Sequence, residues 1–295
     1  MRVGILVPQG WTGEYNSWDP ARAWARTVAV AQEAEALGFD SLWLYDHVQT
    51  EPVPTDEITF EAFVGLSALA AETARARLGH LVLCAGYRNP ALVAKMISTL
   101  DVVSGGRAEL GIGAGWKEGE YTAYGFGFPP LATRMEALED ALEIATRMLA
   151  GERATYAGPV SSVHGAINVP RGLQEPRIPI LVGGNGPNRT WRLAARFADE
   201  LNLDWLTPEE VEANRPVIDS RCEEVGRAPS TLRVSVNIGR EASAMEGAAR
   251  VELLRRYADA GVDRVMTLVR ACASDDAALA RFADDCRAAG CDLEA

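Results

Sequence analysis

RAELGIGAGWKEGEYTAYGFGFPP, residues 107–130, puts three alternating glycines at the end of an apolar strand. Gly111, Gly113 and Gly115 strip side chains from one face, which weakens a strand unless something flat or bulky must approach its backbone there. A ring system is one reading, and a tight strand-to-helix turn with packing glycines is the other. Trp116 closes the run. Lys117, Glu118, Glu120, Tyr121 and Tyr124 follow in a loop too polar and aromatic to be only a connector.

Upstream of this stretch, Val3 to Val7 reads as a buried strand, and Asp19-Pro20 opens a helix to about Leu37 with Gly38 as its stop. Ser41 to Tyr45, Arg77 to Cys84 and Ala108 to Gly113 are the next strands, separated by helices over Phe60 to Thr73 and Pro90 to Val103. Downstream, Leu131 to Ala150 is a long amphipathic helix with Met135, Leu138, Leu142, Ala145 and Leu149 at helical spacing. Residues 151–176, rich in Gly, Pro and Ser, break the rhythm and read as an inserted loop or hairpin. The alternation then resumes: strands at Ile178 to Val182, Glu200 to Leu203, Leu232 to Ile238 and Arg264 to Leu268. Their helices run over Pro187 to Phe197, Pro208 to Val225, Met245 to Ala260 and Asp275 to Ala288. Eight strands alternating with eight helices predict an α/β fold, a single (β/α)8 TIM barrel over residues 1–295 with an insertion between helix 4 and strand 5.

Composition narrows the function. A net charge of −12 argues against a general nucleic-acid binder, since phosphate backbones reward basic faces. Cys84, Cys222, Cys272, Cys286 and Cys291 form an odd set without a C-x-x-C pair, so neither a disulfide framework nor a zinc ribbon is expected. No apolar run approaches membrane-spanning length and no cleavable leader pattern precedes Val3, which points to a reduced, cytoplasmic protein. No H-E-x-x-H and no His cluster implies a metal.

In such a barrel the active site is built at the C-terminal ends of the strands. That rule gathers Asp46 and His47 after strand two, Cys84 and Tyr87 to Asn89 after strand three, Trp116 to Tyr121 after strand four and Asn185 to Thr190 after strand five. His47 is the acid/base candidate, because imidazole titrates near neutrality and a strand end points it into the mouth; the alternative is a hydrogen-bonded packing histidine. Asp46 orients it or caps a turn. Gly183-Gly184-Asn185-Gly186-Pro187-Asn188-Arg189-Thr190 joins a strand end to a helix start, which presents free N–H groups and a positive dipole end to a phosphate. The loop is neither a Walker loop nor a G-x-G-x-x-G fingerprint, and an ordinary glycine-rich connector is the alternative. Glu118 and Glu120 either touch substrate or are solvated, and Cys84 is either reactive or a small buried apolar residue.

GFDSLWLYDHV at 38–48, YRNPALVAKMISTLDVVSGGRAELGIGAGWKEGEYTAYGFGFP at 87–129 and ILVGGNGPNRTWRLAARFADELN at 180–202 resemble the bacterial luciferase-like superfamily, and within it the coenzyme F420 (deazaflavin)-dependent oxidoreductases. The likeness runs over nearly the whole chain. It implies a cofactor ring in the barrel mouth beside Asp46 and His47, with His47 handling the proton. It also implies a bulge within Leu81 to Ala85 that backs the ring, often with a non-proline cis peptide, so Leu83, Cys84 and Ala85 are expected against the ring together with Gly113 and Gly115. Gly183, Gly184, Asn185, Gly186, Pro187, Asn188 and Arg189 would hold the phosphate.

Sugar-phosphate dehydrogenases of that family carry a catalytic glutamate just after the strand-four glycines, where this chain has Trp116, so such an activity is not expected here. Trp11, Trp116, Glu120 and Tyr121 would shape a roomy, partly apolar substrate pocket. The expected reaction is hydride transfer between F420 and an organic small molecule. FMN with oxygen and a partner reductase is the alternative, and an idle cofactor-binding protein a third. A homodimer is what the resemblance implies.

Overall fold

The structure, a computed structural model, describes residues 1–293. Eight parallel strands carry the barrel: β1 (Arg2–Leu6), β2 (Ser41–Leu44), β3 (Arg77–His80), β4 (Ala108–Gly113), β5 (Ile180–Gly183), β6 (Glu200–Asp204), β7 (Arg233–Asn237) and β8 (Arg264–Thr267). Each pairs with its sequence neighbours, β8 returns to β1 through Arg2↔Arg264 and Val3↔Val265, and β3 meets β4 at Leu78↔Ala108, so the sheet closes. Closure follows from strands that are apolar on both faces, which must be covered inside and out.

The outer layer consists of α1 (Pro20–Ala36), α2 (Ala62–Glu72), α3 (Pro90–Val103), the short α4 (Glu118–Ala123), α5 (Leu131–Leu149), α6 (Thr190–Phe197), α7 (Pro208–Glu224), the short α8 (Arg240–Ser243), α9 (Ala248–Asp259) and α10 (Ala278–Ala289). Caps fix several starts: the Asp19 carboxylate accepts from Arg22 N–H, Asn89 from Ala91 and Leu92, and Thr207 with Glu210 forms a reciprocal capping box. Between α5 and β5 the chain makes an antiparallel hairpin, Ala154–Ala157 with Ser162–Ala166. Among the described residues no helix is long and apolar enough to cross a membrane.

The interior of the barrel has two storeys. At the N-terminal end the guanidinium of Arg264, fully buried, bonds the carboxylates of Glu109 on β4 at 2.7 Å, Glu200 on β6 at 2.7 Å and Asp40 at 3.0 Å. Arg77 pairs with Glu109 and Arg233 with Glu200 from the rim of the same cluster. Above it sits an apolar layer of Leu6, Trp43, Leu81, Leu181 and Met266. The Trp43 indole crosses the barrel over Gly79, where a β-carbon would lie only 2.2 Å from the ring. The main core lies between the strands and the helix ring.

Three elements differ from the sequence reading. The expected continuous strand over Arg77 to Cys84 leaves the sheet after His80, passes through a non-proline cis peptide at Leu81–Val82 and resumes only at Leu83–Cys84, beside Ile112 and Gly113 of β4. The helix expected from Pro187 begins at Thr190, leaving residues 187–189 in a turn. The helix expected from Met245 begins only at Ala248, after Gly247 with its φ of 57°, and the separate short α8 precedes it.

Candidate active site

The glycines of β4 make room for protein, not for an open slot. A β-carbon on Gly111 would lie 1.9 Å from the His80 carbonyl oxygen, one on Gly113 2.8 Å from the Val82 side chain, and one on Gly115 2.3 Å from Cys84 Sγ. Gly183 on β5 is likewise filled from Val82, at 2.9 Å. The packing reading of the glycine run therefore holds at these positions, and its purpose is to admit the step in β3. Val82, half-buried on that step, becomes part of the floor of the mouth.

Above this floor opens a cavity of about 1610 Å³. Ligand pockets typically hold 300–1,000 Å³, so this one has room for a cofactor and a second molecule together. Its walls come from every strand end. Of the residues singled out in the sequence, Trp11, Asp46, His47, Leu83, Cys84, Gly113, Gly115, Trp116, Gly183, Gly184, Gly186, Pro187, Asn188 and Arg189 line it. Ala85, Glu120, Tyr121 and Asn185 do not.

His47 is placed by three segments. Gln9 clamps the top of β2, accepting from Tyr45 N–H at 2.7 Å and donating to Tyr45 O at 2.9 Å. Trp11 lies flat on the imidazole at 4.0 Å with 4° between the rings, and the edge of Trp116 approaches at 5.7 Å. The third contact is Glu120, expected in the substrate pocket but fully buried behind the histidine. Its Oε2 lies 2.8 Å from His47 Nδ1 and accepts from Tyr87 Oη at 3.0 Å, while Oε1 accepts from the N–H groups of Val48 at 2.9 Å and Gln49 at 3.1 Å. Burial pushes the Glu120 carboxyl upward, but the imidazole and the two backbone donors outweigh it and hold the group below its ordinary range. Burial, and then the Glu120 charge, push the Tyr87 phenol well up, so Tyr87 stays a donor.

Asp46 has a different task from the one expected. Its carboxylate takes a two-pronged contact from Arg88, at 2.8 and 2.9 Å, and accepts the Cys84 N–H at 2.8 Å. Arg88 also holds Glu61 at 2.8 Å. With those donors on a side chain only 1% exposed, Asp46 anchors the resumed end of strand three.

Tyr121 is equally buried, its hydroxyl 2.9 Å from Cys84 Sγ in the space left by Gly86 and Gly115. Burial raises the Cys84 thiol to about 11, so it is a neutral, unreactive wall residue. Across the rim, Lys117 on the Trp116 loop is ion-paired with Glu51 on the loop after β2.

The loop after β5 fits an anion. The N–H groups of Asn185, Gly186, Asn188 and Arg189 find no acceptor among the described residues, and they precede the start of α6. Gly184 adopts φ 132°, open to glycine alone, and its carbonyl accepts from the Trp191 indole N–H at 3.0 Å. The Asn185 side chain is used elsewhere: it ties the loop to β6, donating to Asp204 O at 2.7 Å and accepting from Asp204 N–H at 2.9 Å. The Arg189 guanidinium turns to Ala132 O at 3.2 Å.

Sequence reasoning left out the far wall, which comes from the ends of β6, β7 and β8 and carries Asn202, Asp204, Trp205, Asn237, Arg240 and Arg270. The same strand-end rule applied to those three strands reaches Asp204 and Asn237 directly.

The family of luciferase-like monooxygenases matches residues 1–288. The chain is 36% identical over 197 residues to an F420-dependent glucose-6-phosphate dehydrogenase of Microbacterium testaceum, covering 66% of this chain and 57% of that protein. It is 29% identical over 222 residues to a 5,10-methylenetetrahydromethanopterin reductase of Archaeoglobus fulgidus, covering 74% and 62%. The chain thus spans less than two thirds of either relative's length. In fold it is similar to an F420-dependent secondary alcohol dehydrogenase solved with an F420-acetone adduct, with a TM-score of 0.82, 17% identity and 98% of both chains covered.

Proposed function

We propose that this chain, which belongs to the luciferase-like monooxygenase family, is an oxidoreductase working with coenzyme F420 on a small, partly apolar organic molecule. The observation that carries the reading is the 36% identity to an F420-dependent dehydrogenase along a stretch covering 66% of this chain. Three features of the cavity support it: the loop of free N–H groups after β5 for a phosphate, the Val82 floor for a flat ring, and His47 facing the same space. When bound, the deazaflavin supplies a two-electron hydride carrier.

The protein's own residues do the rest. Val82, Leu83 and Cys84, which line the cavity, would hold the ring. Trp11 and Trp116 keep His47 fixed and dry between aromatic faces. His47 takes the proton a substrate hydroxyl loses, or returns it to a carbonyl oxygen. Trp116, 61% exposed at the rim, offers apolar surface where a sugar-phosphate dehydrogenase of the family would carry its acid, so the substrate of this chain is another alcohol or carbonyl compound. A homodimer, a cytoplasmic setting and a reductase that renews the coenzyme complete the proposal.

The test is a parallel titration of the purified protein with F420 and with FMN, following tryptophan fluorescence, since Trp11 and Trp116 flank the cavity. Saturable quenching by F420 at concentrations at least about tenfold below those needed for FMN, a difference of about 1.4 kcal/mol, is the expected result. Preference for FMN would overturn the reading in favour of an oxygen-using flavin enzyme.

A further inference from the structure

We propose that Glu120 is a positioning residue that acts through His47: it holds the imidazole by Nδ1–H, so that Nε2 alone exchanges protons with whatever occupies the cavity. The inference rests on the reading above that His47 is the proton-handling group, but its geometry is independent of which cofactor binds.

The argument is an accounting of donors around one carboxylate. A carboxylate is acceptor-only. Oε1 of Glu120 is taken by the N–H groups of Val48 and Gln49, the two residues that follow the histidine. Oε2 faces the Tyr87 hydroxyl at 3.0 Å and His47 Nδ1 at 2.8 Å. A neutral imidazole that presented a bare Nδ1 to that oxygen would set lone pair against lone pair in a fully buried place, which costs more than the bond it replaces. Nδ1 therefore carries the hydrogen. Nε2 makes no hydrogen bond within the protein and is not sealed from the cavity, whereas both nitrogens of His80 are sealed and unpartnered. When a ligand hydroxyl gives up its proton, the O–H bond breaks and an Nε2–H bond forms, and the resulting imidazolium keeps Nδ1–H on the Glu120 carboxylate. The Trp11 face, parallel to the ring, leaves the imidazole no room to tilt.

Glu120 also ties three loops to one point: the segment after β2 through Val48 and Gln49, the segment after β3 through Tyr87, and α4 on which it stands. Loss of the side chain would loosen the mouth as well as free the ring, so a variant of the same shape is needed. Glu120→Gln is that variant. The amide oxygen can keep both backbone donors, which places the amide NH2 against Nδ1 and reverses the polarity of the contact.

The experiment is nitrogen NMR of protein labelled in its histidine rings, without added cofactor, at a pH where the imidazoles are neutral, with His47 assigned by its absence in His47→Gln. The wild-type ring is expected as the Nδ1–H form, and Glu120→Gln should move the hydrogen to Nε2, with an F420 affinity within about threefold of wild type. A wild-type His47 that carries its hydrogen on Nε2 overturns the proposal without any variant, as does an unchanged Nδ1–H form in a folded Glu120→Gln protein. If Glu120→Gln does not fold, Tyr87→Phe serves: it removes one donor from Oε2 and should leave the hydrogen on Nδ1, and its transfer to Nε2 would overturn the proposal. Failure of F420 to bind would sink the proposed function and leave these outcomes readable.

Discussion

Asp46→Asn is expected to cost stability first and activity only as a consequence. The carboxylate compensates a guanidinium that is 16% exposed and also satisfies the Cys84 N–H. Arg88 stays charged because, although burial opposes the charge, Asp46 and then Glu61 more than restore it. In the variant the amide nitrogen faces Arg88 in either orientation, and in one of them the Cys84 N–H as well, donor against donor. Removing one partner of a buried ion pair typically costs 3–5 kcal/mol; Glu61, 41% exposed on its side chain, remains as a partial substitute, which favours the lower end, about 3 kcal/mol. With about 2.1 cal/mol/K of unfolding entropy per residue over 295 residues, the total is about 0.6 kcal/mol/K and Tm falls by about 5 °C. Thermal unfolding of the purified variant gives that number, and amide exchange should show the Cys84 N–H losing protection ahead of the barrel strands. A variant with unchanged Tm and unchanged Cys84 protection, yet without turnover, would refute this and restore Asp46 to the chemistry.

Burial holds His80 at a pKa of about 3, against about 6.5 in the unfolded chain, so the unfolded state binds the extra proton and stability is lost as pH falls from 6.5 toward 3. Between pH 7 and 5 the wild type should lose about 2 kcal/mol more than His80→Leu, read from urea midpoints at each pH. Gly113→Ala pushes a methyl to 2.8 Å from Val82, an overpacking worth about 1–3 kcal/mol, and F420 affinity measured by fluorescence should fall about tenfold as the floor shifts. Arg264→Met leaves three carboxylates facing a methionine and should lower Tm by about 5–8 °C, from about 3–5 kcal/mol, with cofactor affinity unchanged because the cluster lies at the far end of the barrel.

The architecture was readable because period and punctuation agree along most of the chain. Helix α3 begins and ends at the residues expected, and α5 stops one residue short of the expected Ala150. Strand three misled for a physical reason: RLGHLVLC is apolar apart from Arg77 and His80, and nothing local says that it must step out of the sheet after His80. The instruction lies some thirty residues later, in Gly111 and Gly113, which leave room for the step. The same non-local logic hid Glu120. Beside Glu118 it looks like a solvated loop charge, and only the convergence of donors from His47, Val48, Gln49 and Tyr87 makes it a buried anion. Conversely, the placement of His47 and the loop after β5 on the cavity was legible because strand ends of a barrel converge on one mouth.

The closed sheet separates two kinds of polarity along one axis. At the base the charges are paired: Arg264, Arg77 and Arg233 share Glu109, Glu200 and Asp40, and burial, outweighed by Arg264 and Arg77, leaves the Glu109 carboxyl below its ordinary range. At the mouth, donors and acceptors face open space. The anchor that resists unfolding and the surface that meets ligands therefore draw on different residues, with the layer around Trp43 as a partition between them. Such a division lets the rim loops accept insertions, deletions and new side chains while the base keeps the barrel shut. A directed-evolution library for new substrates belongs on Trp205, Met245 and Arg270, which line the cavity and are exposed, so that changes there cost little of the core.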